Sequence, residues 1–325
     1  MKISVIGAIV YDEIITHDGA RRESFGGITY NIAALSSIVD QDTEVYPVAN
    51  VADDRWDAVV ELLARYPLVR TDAVERVPGK LTATRLVYTS PTWRDETVLH
   101  MMRPLAPHRL ATALDSDAVL VNFINGTEMD LATFAGLREN ARGYLHLDVH
   151  SKVARWDEEG RKTHVPFADW REWLRRVDAA QMNEFECEQI IGRELSVQDD
   201  FVQAGAEIVE AGAPMVLITL GPLGSILVYE RDGGTYWAAN PALAVERVVD
   251  TTGCGDSFSA GFMWNYLRCG DPVKANAAAN IVAGINCTVA GIGHLEAARD
   301  ALAQIPTAFP EPGPRIAAGW RGEKL

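Results

Sequence analysis

The chain has 325 residues, 45 of them acidic and 30 basic, for a net charge of −15 at pH 7. That balance argues against nucleic acid as the main partner, because phosphate-backbone binding needs clustered Lys and Arg. With 48% hydrophobic residues it can build a sizeable core, as one large α/β domain or two average ones, and no uncharged apolar window of about 18 residues marks a membrane span.

Residues 3–10 read as a strand opening the chain, and the first residues are too short and too strand-like for a signal peptide. Residues 11–25 are polar and β-like, and Asn31 to Ile38 begin a helix rich in Ala, Leu and Ile. Residues 82–88 and 97–101 read as two extended strands joined by the polar turn 90–96, which contains Trp93. Further strands are expected at 118–123, 144–149, 179–183 and 215–220, with a helix at 199–211. A β-rich approach at 244–249 leads into a helix at 257–267, where Phe258, Phe262 and Tyr266 recur every fourth residue. Strands alternating with helices imply βαβ units in a mostly parallel central sheet with helices on both faces. The extra strands near 11–25 and 80–103 suggest a small β-sheet lid on that domain, and residues 311–325 read as a frayed tail. Cys187, Cys254, Cys269 and Cys287 form no CxxC pair, which fits a reducing cytoplasm better than a disulfide framework.

The stretch Asp250-Thr251-Thr252-Gly253-Cys254-Gly255-Asp256-Ser257-Phe258 carries the most chemistry. Glycines before a helix let several N–H groups aim at one point, where the helix dipole adds positive potential. Such a pocket suits the negative charge of a transferring phosphoryl group, with Asp256 at its mouth as a base. Taken alone, the stretch is equally an ordinary turn with Asp256 as a helix N-cap.

This stretch resembles the C-terminal signature of the ribokinase-like carbohydrate kinase family, DTxGAGD followed by a small residue and an aromatic. The resemblance implies a ribokinase-like α/β fold with Asp256 as catalytic base and the amides of Gly253, Cys254 and Gly255 as anion hole. Cys254 departs from the usual Ala, which makes it either a small buried filler or a thiol-sensitive point of the site. Other segments resemble the family in order. Gly7 and Asp12 match a strand-end Gly and the Asp that holds sugar hydroxyls. Phe25-Gly26-Gly27-Ile28-Thr29-Tyr30-Asn31 is similar to the N-terminal signature, with Gly26 and Gly27 as lid hinge and Asn31 as substrate contact. Asn183 and Glu186 match an NxxE motif that organises Mg²⁺ and phosphates, Glu186 through water. Thr219, Gly221 and Gly224 match a turn beside the nucleotide, and residues 275–289 resemble the helix walling the adenine, with Asn280 as candidate. Asp250 and Thr252 match ligands of the monovalent cation, K⁺ in many members, with carbonyls near Gly291 completing the set. Arg103 lies where some members bind acidic sugars, or is a surface Arg. Trp93 either stacks on substrate or packs across a lid-to-lid homodimer. Two segments depart from pattern: Ala52 replaces a Gly before Asp53, and Asp148-Val149-His150-Ser151 replaces Asp-Pro-Asn; neither is expected to touch the transfer chemistry, and the second is expected to alter substrate contacts.

The resemblance therefore implies a soluble, cytoplasmic, ATP- and Mg²⁺-dependent kinase acting on an alcohol of a small sugar-like substrate. A nucleoside kinase of the same family is the alternative, since members with nucleoside substrates also carry Gly-Cys-Gly-Asp. A non-catalytic sensor of sugar or nucleotide is the reading from a different class. A dinucleotide-binding oxidoreductase lacks its GxGxxG after the first strand.

Overall fold

The computed structural model describes residues 1–89, 94–292 and 296–303, so Trp93 and the tail from 311 lie outside the described residues. Strand β1 (Lys2–Ile6) ends at Gly7, where a Cβ would strike Ile28 and the Asn122 carbonyl, so the expected strand 3–10 is two strands. Strands β2 (Ile9–Ile15) and β3 (Arg21–Gly27) follow, then helix α1 (Thr29–Ile38), β4 (Glu44–Ala52), α2 (Trp56–Leu63) and β5 (Val74–Val77). Next come β6 (Ala83–Tyr88), β7 (Arg94–His100), α3 (Ala111–Leu114), β8 (Ala118–Asn122), α4 (Leu131–Asn140) and β9 (Tyr144–Asp148). The chain continues through β10 (Ala154–Trp156), β11 (Lys162–His164), α5 (Trp170–Leu174), β12 (Ala179–Asn183), α6 (Glu184–Ile191) and α7 (Gln198–Glu210). It ends with β13 (Met215–Thr219), β14 (Ser225–Arg231), β15 (Gly234–Asn240), α8 (Cys254–Cys269), α9 (Pro272–Asn286) and α10 (Glu296–Ala303).

Nine strands form the main sheet in the order β15-β14-β13-β12-β9-β8-β1-β4-β5. Pairing is parallel from β5 to β13, and β14 and β15 add an antiparallel edge. Strand side chains alternate between faces. Accordingly Val119 and Val121 join a core with Phe134, Trp173 and Ile208, whereas Ala118 and Leu120 join one with Leu35, Ala260 and Met263. Both faces are covered, which is why these strands read as continuous apolar runs.

The second sheet has the order β3-β2-β6-β7 and carries the segments expected from the sequence near 11–25 and 80–103. Its edge strand β7 is met by the β10–β11 hairpin: Val98 N–H donates to the Gly160 carbonyl at 2.7 Å, and Thr97 bridges Arg161. The turn of that hairpin is tied by Asp157, which accepts from the amides of Glu159 and Arg161 and from the Arg161 side chain.

One sequence expectation fails here. Residues 244–249 form no strand, and Val248 and Val249 are 56% and 48% exposed. A β-branched run needs a partner edge to become a strand. This segment instead anchors through the Val249 amide, which donates to the Cys287 carbonyl at 2.7 Å.

Candidate active site

Strands β8, β9, β12 and β13 end at Asn122, Asp148, Asn183 and Thr219, and the first turn of α8 arrives above these carboxyl ends. This is where open parallel sheets place ligands. The helix starts from Gly253 with φ +78°, a left-handed conformation, and a Cβ there would enter the Tyr30 ring. Both constraints require glycine. Asp256 is therefore not an N-cap: Gly253 holds that position, and Asp256 is the third residue of the helix. The amides of Cys254, Gly255 and Asp256 have no acceptor within the helix by position, and Cys254 N–H makes only a 3.3 Å bond to the Thr251 carbonyl. The N-terminal end of the helix dipole sits on the same spot.

Asp256 is buried and its Oδ1 accepts from Asn122 Nδ2 at 2.6 Å. Burial pushes its carboxyl up to about 6, and the Asn122 bond opposes that rise. Asn122 also donates to Asn31 Oδ1 at 3.0 Å, and Asn31 Nδ2 donates to the Asp256 carbonyl at 2.8 Å. This corrects the sequence reading of Asn31 as a substrate contact. It is 0% exposed, its amide oxygen and nitrogen both bond within the protein, and it holds Asp256 from behind. Asn122, 134 residues from Asp256 in sequence, carried no local signal at all.

Asp256 faces two adjoining cavities. The larger, about 380 Å³, is lined by Asp148, Asn183, Glu186, Thr219, Gly253 and Gly255 among others. Asn183 and Glu186 form a reciprocal capping box at the start of α6: Asn183 Oδ1 accepts from Glu186 N–H at 2.8 Å, and Glu186 Oε2 accepts from Asn183 N–H at 2.9 Å. Burial, reinforced by Asp256, raises the Glu186 carboxyl to about 7. Asp148 is held by Gln181 Nε2 at 3.1 Å and Ser259 Oγ at 2.8 Å, and burial beside Glu186 and Asp256 raises it well above the carboxylate range. The departure at 148–151 therefore does reach the transfer region, a correction that only strand β9 and helix α8 together reveal. Three buried carboxyls that each resist ionisation suit a cation close by. Among the described residues, no three His, Cys, Asp or Glu side chains form a set that could hold a metal ion; a Mg²⁺ arriving with a nucleotide would keep most of its waters, and Glu186, which lines the larger cavity, would meet it through one of them.

Other nucleotide-side assignments divide. Thr219 lines the large cavity, but Gly221 and Gly224 do not; Gly224 (φ +99°) instead lets its backbone approach the Asn240 carbonyl. Asn280 is buried, and its Nδ2 donates to Ser225 Oγ at 2.7 Å and to the Asn276 carbonyl at 2.9 Å. Ser225 donates to Asn276 Oδ1 at 2.8 Å, and Asn276 donates to Asn240 Oδ1 at 2.7 Å. The expected adenine contact is thus corrected to a member of a buried network joining α9 to β14 and β15. Asp250 Oδ1 accepts from Thr252 N–H at 2.9 Å and the Thr252 carbonyl accepts from Asn286 Nδ2 at 2.8 Å, which fixes the loop proposed to hold K⁺. Cys254 and Cys287 are free thiols in contact with one another.

The smaller cavity, about 100 Å³, is lined by Asp12, Gly27, Tyr30, Leu86, Ile124 and Trp156 and shares Asp256 with the larger one. Gly26 packs so closely on Asp12 that a Cβ would meet its carboxylate, and Gly27 turns with φ +65° under the Ala8 carbonyl. Arg103 is exposed at a separate cavity of about 30 Å³, which shares Asn125 with the Asp12 cavity but not Asp12 or Asp256.

Comparison with known proteins matches residues 2–298 to the pfkB family carbohydrate kinase model. A cytidine kinase of Thermococcus kodakarensis is 37% identical over 282 residues, 84% of this chain and 91% of that protein. A ribokinase of Arabidopsis thaliana is 33% identical over 106 residues, and that match spans 33% of this chain and 26% of the ribokinase. In three dimensions, Arabidopsis thaliana ribokinase complexed with ribose and ATP superposes with a TM-score of 0.74 at 18% identity, covering 94% of this chain and 99% of that one. A pyrophosphate-dependent kinase in the ribokinase family, complexed with a pyrophosphate analog and myo-inositol, gives a TM-score of 0.73 at 22% identity, covering 92% and 99%. These likenesses speak for the fold.

Proposed function

The chain belongs to the pfkB family of carbohydrate kinases, and from that premise we propose that it transfers the γ-phosphoryl group of ATP to an alcohol of a small carbohydrate-type acceptor. The observation that carries this reading is the position of Asp256, buried at the junction of the two cavities under the N-terminal amides of α8. The larger cavity takes the donor phosphates and the smaller one the acceptor. An acceptor hydroxyl oxygen attacks the γ-phosphorus, the bond to the ADP oxygen breaks, and the hydroxyl proton passes to an Asp256 carboxylate oxygen. The Gly253, Cys254 and Gly255 amides face the developing negative charge. Mg²⁺, when bound with the nucleotide, supplies charge neutralisation. Asp12 offers a carboxylate to a diol of the acceptor. Closure of the small sheet about Gly26 and Gly27 excludes water from the reacting atoms.

Within this class, a nucleoside acceptor has its own support. Tyr30, Leu86, Ile124 and Trp156 give the acceptor cavity an apolar and aromatic wall suited to a base, while Asp12 and Asn125 serve a sugar. The relative named cytidine kinase is also similar over most of the chain.

The test is ADP release from Mg-ATP over a panel of pentoses, hexoses, acidic keto-sugars and nucleosides, with and without K⁺, and with pyrophosphate as an alternative donor. Turnover with one class identifies the acceptor. Silence across the panel, with a melting shift on adding ATP, refutes catalysis and supports the sensor reading.

A further inference from the structure

The donor cavity is lined by more carboxyls than cationic groups. Glu96, Asp148, Glu186 and Asp256 line it, and among its described lining residues the one Lys or Arg is Lys162. Lys162 opens strand β11 of the hairpin docked on β7, and its Nζ lies 3.4 Å from Glu96 Oε2. Glu96 itself is on β7, in the small sheet, and borders both cavities. The same hairpin sends Trp156 into the acceptor cavity, with Lys162 Nζ 5.6 Å from the centre of its ring. Lys162 is close enough to Glu186 to oppose the rise of that carboxyl.

We propose that Lys162 binds the terminal phosphates of the donor, exchanging its ion pair with Glu96 for them, and that the β10–β11 hairpin couples this contact to the position of the small sheet. This inference rests on the reading of the larger cavity as the donor site. A partly exposed pair at 3.4 Å is weak and screened, and cheap to exchange for a polyphosphate. A lysine is a mobile point charge on a flexible stem, suited to following a phosphate during transfer. The hairpin is tied to the edge of the small sheet through Gly160 and Arg161. Gly160, at φ +76°, fits so closely under the Val98 carbonyl that a Cβ would strike it, and Val98 N–H returns a bond to Gly160. Movement of β7 over the acceptor thus carries Lys162 with it, linking acceptor enclosure to donor grip.

The experiment compares wild type, Lys162→Met, Lys162→Arg and Glu96→Gln by two readouts: the melting shift produced by inorganic tripolyphosphate with Mg²⁺, and donor kcat/KM. In Lys162→Met the tripolyphosphate shift disappears and donor kcat/KM falls about 100-fold, the scale of losing one charge-stabilising donor. Lys162→Arg restores most of both. Glu96→Gln lowers the donor KM, because a competing carboxylate is gone. An unchanged donor kcat/KM in Lys162→Met overturns the proposal, as does a Glu96→Gln variant that weakens tripolyphosphate binding as much as Lys162→Met, which marks a structural ion pair. A wild type without any tripolyphosphate shift also overturns it. If wild type lacks turnover on every acceptor yet keeps a Lys162-dependent shift, the proposed activity fails while the phosphate site stands.

Discussion

Replacing Asn122 by Ala isolates the tuning of the base from the base itself. In the folded protein, Asn122 donates a 2.6 Å bond to a buried carboxylate and opposes the rise from burial, which together leave the carboxyl at about 6. A hydrogen bond to a charged group contributes about 1.5–3 kcal/mol, and one pKa unit corresponds to about 1.4 kcal/mol, so its loss raises Asp256 by about one to two units. The sign follows from the role. Asp256 accepts a proton, so activity falls as pH drops through its pKa, and the variant loses activity at a higher pH than wild type. The assay is kcat/KM for the acceptor from pH 5 to 9 in both proteins. Glu186 and Asp148 titrate in the same cluster, so the acidic limb is a property of the set, and the displacement between the two proteins is the quantity to read. An acidic limb moved up by one to two units, with activity recovering at high pH, is the expected result. A limb that stays in place while activity drops at every pH would refute the account, leaving Asn122 a mere packing residue.

Asp256→Asn keeps the fold and lowers turnover by about 10² or more, read as ADP release beside an unchanged melting curve. Gly253→Ala loses turnover and at least about 1–2 kcal/mol of stability in urea titration, because it forces a left-handed backbone onto Ala and drives its methyl into Tyr30. Glu128 is buried with Oε1 bonded to the Asn125 amide and Oε2 unpartnered, and burial raises its carboxyl from 4.5 to about 7. Its protonated form therefore stabilises the fold at low pH, a contribution lost between about pH 4.5 and 7 at about 1.4 kcal/mol per unit. Glu128→Gln should match wild type near pH 4.5 and exceed its melting temperature at pH 8; equal pH dependence of the two would contradict this.

Much of the site was legible because its parts are contiguous. The run from Gly253 to Asp256 fixes glycine, amides and carboxylate within one turn, and Asn183 with Glu186 matches the NxxE motif at three-residue spacing, which the structure folds as a capping box. What was not legible depends on distant partners. Asn122, Asp148 and Gln181 stand on three different strands; nothing local marks Asn122 or Gln181, and Asp148 stands out only as part of a departure from the family pattern. Lys162 sits in a short hairpin whose importance comes from docking on β7. Asn31 and Asn280 match family positions for substrate and adenine contacts, but burial turns their amides inward. Residues 244–249 had strand composition without a strand edge to join, and composition cannot report a missing neighbour.

The buried network of Ser225, Asn240, Asn276 and Asn280 acts as a registration key between α9 and the antiparallel edge of the main sheet. A displacement of α9 along its axis by one residue would leave several buried amide groups without partners, each at about 1–3 kcal/mol, whereas an all-aliphatic contact would slide at little cost. One alignment is thereby selected over its near neighbours. The four positions are then constrained as a unit: an exchange at any one strands its partners, and the contact can be remodelled only by changing several together.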